Sequence, residues 1–129
     1  MSEELLSIRA MCDLFDVTPR TLRFYEQKEL LFPIREGQKR LFTRRDRARL
    51  KLILRGKRFG VSLEEIRQLL DLYDMEDQKG LQLARTLDIA KRRLAEMEQQ
   101  RDELDRGIDE GASIAGEMKR KLIAAYGSI

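Results

Sequence analysis

The stretch Val17-Thr18-Pro19-Arg20-Thr21-Leu22-Arg23-Phe24-Tyr25 reads as a short turn running into a helix. Thr18 is suited to accept a hydrogen bond from the free N–H groups of a first turn. Pro19 fits the first helical position, where its missing N–H costs nothing. Along that helix Arg20, Thr21, Arg23 and Tyr25 are donors matched to phosphates and base edges, and Leu22 anchors it to a core. A second helix placed two residues after an amphipathic first one is the recognition helix of a helix-turn-helix.

The first helix lies just upstream. Ile8, Met11, Cys12 and Phe15 recur at i, i+3, i+4 and i+7, so residues 8–15 form a helix with Ser7 as its cap and Asp16-Val17 as the turn. Cys12 lies on the apolar face. It reads as a small buried side chain rather than a redox sensor, because no neighbour is positioned to lower its pKa. Downstream, Leu30–Ile34 and Lys39–Phe42 read as two short strands around the turn Arg35-Glu36-Gly37-Gln38. Pro33 confines the first strand to a sheet edge. The hairpin carries Arg35, Lys39 and Arg40, and a basic hairpin beside a recognition helix is a wing that can reach a DNA backbone.

Thr43-Arg44-Arg45-Asp46 has the pattern of a capping box and opens a helix to about Phe59. Its buried face is Leu50, Ile53 and Leu54, and Arg44, Arg45, Arg47, Arg49, Lys51, Arg55, Lys57 and Arg58 crowd the solvated remainder. Ser62-Leu63-Glu64-Glu65 repeats the capping pattern before a helix ending near Met75. Asp74–Gly80 is polar and reads as a hinge. Leu83, Leu87, Ala90, Leu94, Met97, Arg101, Leu104 and Ile108 then alternate in steps of four and three, which is a heptad seam. So narrow an apolar stripe has no core of its own, and a second copy of the chain is the simplest partner. Arg101 interrupts the seam; a polar residue there sets register at some cost in stability, or its head reaches the edge. Gly107, Gly111 and Gly116 weaken a helix, which predicts a break near residues 107–113. A short terminal helix to about Tyr126 follows, with Ile114, Met118, Leu122 and Ile123 on its apolar face.

Composition narrows the function classes. Charged residues make up 38% of the 129, against the roughly 25% of average globular proteins, and the net charge of +3 is unevenly spread. Residues 1–60 hold 15 Lys/Arg against 8 Asp/Glu, and residues 61–129 hold 11 against 15. The basic first half suits a polyanion and the acidic second half suits solvent and protein partners. One cysteine and no histidine leave no internal disulfide and no ordinary zinc ligand set, so no metal or cofactor is expected. No apolar run approaches the ~20 residues of a membrane span, and the N-terminus lacks a signal-peptide pattern, so a cytoplasmic location is expected. Without histidine, an activated cysteine, a glycine-rich phosphate loop or a defensible carboxylate pair, the chain is not read as an enzyme.

The ordered combination resembles the MerR family of transcriptional regulators. The likeness rests on Thr21-Leu22-Arg23-Phe24-Tyr25-Glu26, Leu30-Leu31, Arg40 and Phe42, Asp46 and Leu50, and Phe59-Gly60-Val61-Ser62-Leu63-Glu64-Glu65-Ile66, spanning residues 7 to about 75. The wording around Leu54-Arg55-Gly56-Lys57-Arg58 and Leu72-Tyr73-Asp74 is similar to the LiuR-like branch, associated with leucine and isovalerate breakdown. The resemblance implies a mainly α fold: a winged helix-turn-helix DNA-binding domain over residues 1–76 and an antiparallel coiled-coil dimerisation helix over 77–110. A short helical segment follows over 111–129. It implies a homodimer on a pseudo-palindrome in double-stranded promoter DNA. There it bends and untwists the site in response to a small-molecule effector, acting on RNA polymerase indirectly. Carried over by position, Thr18, Arg20, Arg23 and Tyr25 face the DNA from the recognition helix, with Thr21 beside them. Lys39 and Arg40 do so from the wing, and Arg55 and Arg58 from a second projection. The wing departs from the family's Asn-Gly-Tyr-Arg-x-Tyr, reading Gly37-Gln38-Lys39-Arg40-Leu41-Phe42. The cysteines of metal and redox sensors are absent, and too few residues follow Ile108 for the large drug-binding domain of other members. Tyr73, Met75 and Tyr126 are candidate effector-lining residues, and core packing explains them equally well. The competing reading is an architectural or adaptor protein, whose DNA-binding head recruits a partner through the coiled coil.

Overall fold

The computed structural model describes residues 4–74 and 79–127. The chain forms two units, residues 1–89 and 90–129. The first contains β1 (Leu6–Ser7), α1 (Ile8–Phe15), α2 (Pro19–Gln27), β2 (Ile34–Glu36), β3 (Lys39–Phe42), α3 (Arg44–Phe59), α4 (Leu63–Tyr73) and the beginning of α5 (Lys79–Tyr126). The second consists of the rest of α5 and the residues after it.

Local chemistry sets the helix ends where the sequence places them. The Ser7 hydroxyl accepts from the Ala10 N–H at 3.1 Å, and Thr18 accepts from the Thr21 N–H at 3.2 Å with Pro19 in the first turn. Thr43 and Asp46 exchange bonds in a complete capping box at the start of α3. Ser62 accepts from the Glu65 N–H at the start of α4. Gly60, at φ +84°, ends α3 in the left-handed region that glycine adopts without strain. Close approach matters one turn earlier: a Cβ on Gly56 would stand 2.9 Å from Ile66 Cδ1 and Cγ1, so the missing side chain lets α4 close on α3.

The wing differs from the sequence expectation. Leu30–Pro33 is not strand. The Leu30 N–H reaches back to the Tyr25 carbonyl at 2.9 Å and the Glu29 N–H to the Glu26 carbonyl at 2.9 Å, with Glu29 at φ +60°. This closure of α2 swings Leu30 and Leu31 fully into the core. The Phe32 N–H is taken by Asp46 Oδ1 at 2.9 Å, and Pro33 has none to give. The ladder therefore starts only at Ile34. The sheet is three-stranded, in the order β1-β3-β2, and antiparallel; β1 is too short for any periodicity to reveal. β2 and β3 pair as Ile34↔Leu41, Arg35↔Arg40 and Glu36↔Lys39, around a two-residue loop that needs Gly37 at φ +62°.

The core joins Met11, Leu22, Tyr25, Leu30, Leu31, Phe42, Leu50, Ile53, Ile66 and Leu70. On α3, Leu50 and Ile53 are fully buried and Leu54 partly so. Arg49, assigned by sequence to the solvated face, is instead 1% exposed, as is Asp46.

In the second unit the expected break near residues 107–113 does not occur, for α5 runs unbroken to Tyr126. Each glycine costs about 1 kcal/mol in a helix interior, but Gly107, Gly111 and Gly116 are single and separated by good helix formers such as Glu110, Ala112 and Ala115. The helix ends at Gly127, φ +82°, whose N–H meets the Ile123 carbonyl at 2.9 Å. Ile114, Met118, Leu122 and Ile123 are exposed along this continuous helix. Met75 and most of the expected hinge lie outside the described residues.

Candidate nucleic-acid interface

The face of α2 is built by a three-residue rhythm. Leu22 and Tyr25 turn inward, and Arg20 and Arg23 are exposed on the other side. Thr18 and Thr21 stand at its N-terminus with their hydroxyls 2.9 Å apart. Tyr25 corrects the sequence reading: it is 5% exposed, and burial pushes its phenol above the ordinary tyrosine range. Its ring is a core anchor, packed with Leu22 and not displayed on the exposed face with Arg20 and Arg23. The i, i+3 spacing from Leu22 was the available signal. Phe24, off that stripe, is exposed, with Lys28 Nζ 5.6 Å from its ring centroid.

Glu26, the residue after Tyr25, organises the wing; in the sequence it stood only as part of the family motif, with no role assigned to it. Its Oε1 lies 3.2 Å from Arg35 Nη1 and its Oε2 2.5 Å from Arg40 Nε. Arg35 and Arg40 face each other across β2 and β3, a like-charge pairing that is unfavourable alone. The carboxylate between them turns repulsion into a clamp that holds the wing to α2. Arg40 thus braces the wing from within the protein. Lys39 is exposed at the start of β3. Arg55 and Arg58 are exposed on the last turns of α3 beside Gly60.

Behind this face lies a charged network that composition could not reveal. Arg49 Nε donates to the Leu30 carbonyl at 2.7 Å, and its Nη1 lies 2.7 Å from Asp74 Oδ2. Asp74 also receives Arg45, through Nε at 3.1 Å and through Nη2. Asp74 therefore caps α4 as an anchored residue and not as part of a free polar hinge. The Phe32 ring covers the Arg49 guanidinium at 5.2 Å. Arg67 of α4 donates to the Lys28 carbonyl at the end of α2, where a cation is favourable against the helix dipole. The buried Arg49 is pulled below the usual arginine range by desolvation, with Asp74 acting the other way.

Cys12 is half-buried, and its thiol is pushed up by desolvation and then by Asp13, while Arg23 pulls it down. The expected absence of a pKa-lowering neighbour is corrected by Arg23, and the thiol is half-buried and not fully covered. An open groove of about 340 Å³ in the first unit is lined by Gln68, Asp71, Leu72, Leu81 and Arg85. Tyr73 is exposed and is not among its lining residues.

The seam residues Leu83, Leu87, Leu94, Met97, Leu104 and Ile108 are all exposed in the single chain, Leu83 by 70% and Ile108 by 59%, and Ala90 is half-buried. Arg101 is exposed and pairs with Asp102 at 3.2 Å. Among the described residues no helix is long and apolar enough to cross a membrane.

Two family models match the chain: the MerR helix-turn-helix regulatory protein over residues 6–73, and the MerR DNA-binding region over residues 47–110. The chain is 33% identical over 107 residues to the HTH-type transcriptional regulator ZntR of Escherichia coli, covering 77% of this chain and 75% of that protein. The crystal structure of MtaN, the N-terminus of the Bacillus subtilis multidrug transporter activator, superposes with a TM-score of 0.60 at 29% identity. The match covers 83% of this chain and 97% of that one. HiNmlR, a MerR family regulator lacking the sensor domain and crystallised on promoter DNA, shares the fold. Its TM-score is 0.61 at 23% identity, over 97% of this chain and 92% of its own. These likenesses extend to the family and do not reach the LiuR-like branch.

Proposed function

The chain belongs to the MerR family of helix-turn-helix transcriptional regulators, and on that premise we propose that it acts as a cytoplasmic homodimer that distorts promoter DNA in response to a small-molecule effector. The observation that carries the reading is the clamped pair of α2 and wing. Arg20 and Arg23 are exposed on one element, and Lys39 is exposed on another that Glu26 ties to the first. Such an arrangement suits major-groove readout from the helix with phosphate contacts from the wing. Arg55 and Arg58 add phosphate contacts at the α3–α4 junction. The exposed seam from Leu83 to Ile108 supports self-association as an antiparallel coiled coil, because so many apolar side chains on one lone helix need a cover. The dimer then presents two recognition helices to a pseudo-palindrome, and RNA polymerase responds to the altered DNA rather than to a direct contact.

The test is a nuclease footprint on the DNA upstream of the gene, at near-physiological salt, beside a shuffled sequence. A symmetric protected site with enhanced cleavage at its centre is expected. Arg23→Ala should weaken it by about 1–3 kcal/mol, the worth of a good base contact. Affinity should fall steeply with salt. Unpatterned protection, or unchanged affinity in Arg23→Ala, would overturn the reading.

A further inference from the structure

We propose that Arg49 is a positioning residue that links the end of α4 to the recognition helix and the wing, with Asp74 as the releasable end of that link. The inference deepens the promoter-distorting reading above and rests on it for its consequence on DNA, but not for its structural content.

A fully buried arginine in a small domain needs a reason, because desolvating a guanidinium is costly unless its donors are placed. Here the donors are divided between two elements distant in sequence. Nε goes to the Leu30 carbonyl and Nη1 to the Asp74 carboxylate, both at 2.7 Å. Leu30 is the residue whose N–H closes α2 on the Tyr25 carbonyl. It also begins the connector to the wing, in which the Phe32 N–H is held by Asp46, one turn before Arg49 on the same helix. Asp74 is the C-cap of α4, and only residues 75–78 separate it from the start of α5. One side chain therefore touches both the connector that closes the recognition helix and the C-cap of α4.

The two ends of the link are unequal. The Leu30 end is backbone, inside the core. The Asp74 end is a carboxylate that is only partly covered and is shared with the exposed Arg45. A displacement of α4's end would break the Asp74 contact first. Arg49 would then be left with one hydrogen-bond acceptor, the Leu30 carbonyl, and its remaining grip on the connector would loosen. Charged groups near Arg49 are Asp46, Asp71, Asp74 and Arg45, and only Asp74 bonds it directly from another element. Interdomain coupling of this kind requires a physical chain of contacts and a measured coupling; the chain of contacts is Asp74, Arg49, Leu30, Tyr25.

Replacing Arg49 itself risks unfolding, since the buried Leu30 carbonyl would lose its donor and Asp74 would keep only Arg45. The experiment therefore uses the full-length protein and Asp74→Asn, which keeps shape and removes charge, with Arg45→Ala as the comparison. Amide hydrogen exchange is read in the free protein. In Asp74→Asn, exchange over residues 30–42 should quicken about tenfold while α1 stays within twofold. Arg45→Ala should change neither. Unchanged exchange over 30–42, uniform quickening that includes α1, or an equal effect of Arg45→Ala would each overturn the proposal. On operator DNA at saturation, Asp74→Asn should alter the central enhanced cleavage at least threefold while the flanks stay protected. Unaltered central cleavage would overturn the positioning role. If the unmodified protein gives no central enhancement, the promoter-distorting reading fails, and the exchange data still decide the link.

Discussion

Glu26→Gln isolates charge from shape at the joint between α2 and the wing. Gln keeps the length and one acceptor oxygen, so packing is preserved and only the carboxylate is lost. Two contacts weaken: the pair to Arg40, whose two side chains are 22% and 23% exposed, and the pair to Arg35, which is 49% exposed. An exposed pair contributes about 0.2–1 kcal/mol, and the Arg35 contact belongs near the lower limit. The better covered Arg40 contact belongs near the upper limit. The register also leaves Arg35 opposite Arg40 with no anion between them, adding a few tenths of a kcal/mol. The expected loss is about 1–2 kcal/mol at low salt. It should shrink by roughly half in 1 M salt, where the screening length falls to about 3 Å. Urea unfolding at fixed protein concentration, in 50 mM and 1 M NaCl, measures both numbers. Non-specific DNA affinity should rise, because two arginines are freed and one negative charge has gone, while discrimination for the operator falls. No loss of stability at low salt, or the same loss at both salts, would refute the clamp.

Identical chemistry at two glycines should have opposite signs. Gly56→Ala meets the buried Ile66 at 2.9 Å and should destabilise by about 1–2 kcal/mol, overpacking outweighing helix propensity. Gly107→Ala meets nothing within 4 Å and should stabilise by up to ~1 kcal/mol; thermal melts compare them. Glu29→Gly relieves a left-handed residue at φ +60° that ends α2 and should raise stability by about 0.5–1 kcal/mol in urea titrations. Arg101→Leu should raise the melting temperature of the dimer if the side chain sits on the seam, and an unchanged value places it outside. Burial holds the Cys12 thiol protonated above its ordinary range, so alkylation by iodoacetamide at pH 8 should be slower than that of a free thiol. Since the folded pKa is the raised one, stability should decline as pH climbs through the unfolded thiol's pKa, a trend that Cys12→Ser removes.

Most of the architecture was written locally. Ser7, Thr18, Thr43 and Ser62 mark helix starts because their side chains bond backbone groups three residues away, and such contacts depend on nothing distant. The heptad spacing of α5 was equally plain. Two departures arise from contacts with residues distant in sequence, and a third from a misjudged local penalty. The Leu30–Pro33 segment has strand composition, yet its hydrogen-bonding groups are used by Tyr25, Asp46 and Arg49, residues 5 to 19 positions away. Tyr25 has a donor's chemistry and was assigned to the DNA, but the Leu22–Tyr25 face of α2 is what the core covers. The break expected at Gly107 failed because propensity is a small penalty spread along a long helix.

The sequence by itself determined the helix starts, the hairpin turn at Gly37, the basic head, the seam and the family, because each is set by neighbours within one or two turns or by composition. Only the tertiary structure decided which charges are buried and which face outward. Arg49 and Arg45 look alike in a run of arginines, one 1% exposed and the other exposed. Their difference arises from where α4 ends and where the connector passes. The same holds for Glu26, whose role as a clamp exists only once β2 and β3 bring Arg35 and Arg40 against α2. Long-range pairing of charges is a property of the packed chain, since each contact joins residues that the sequence keeps apart.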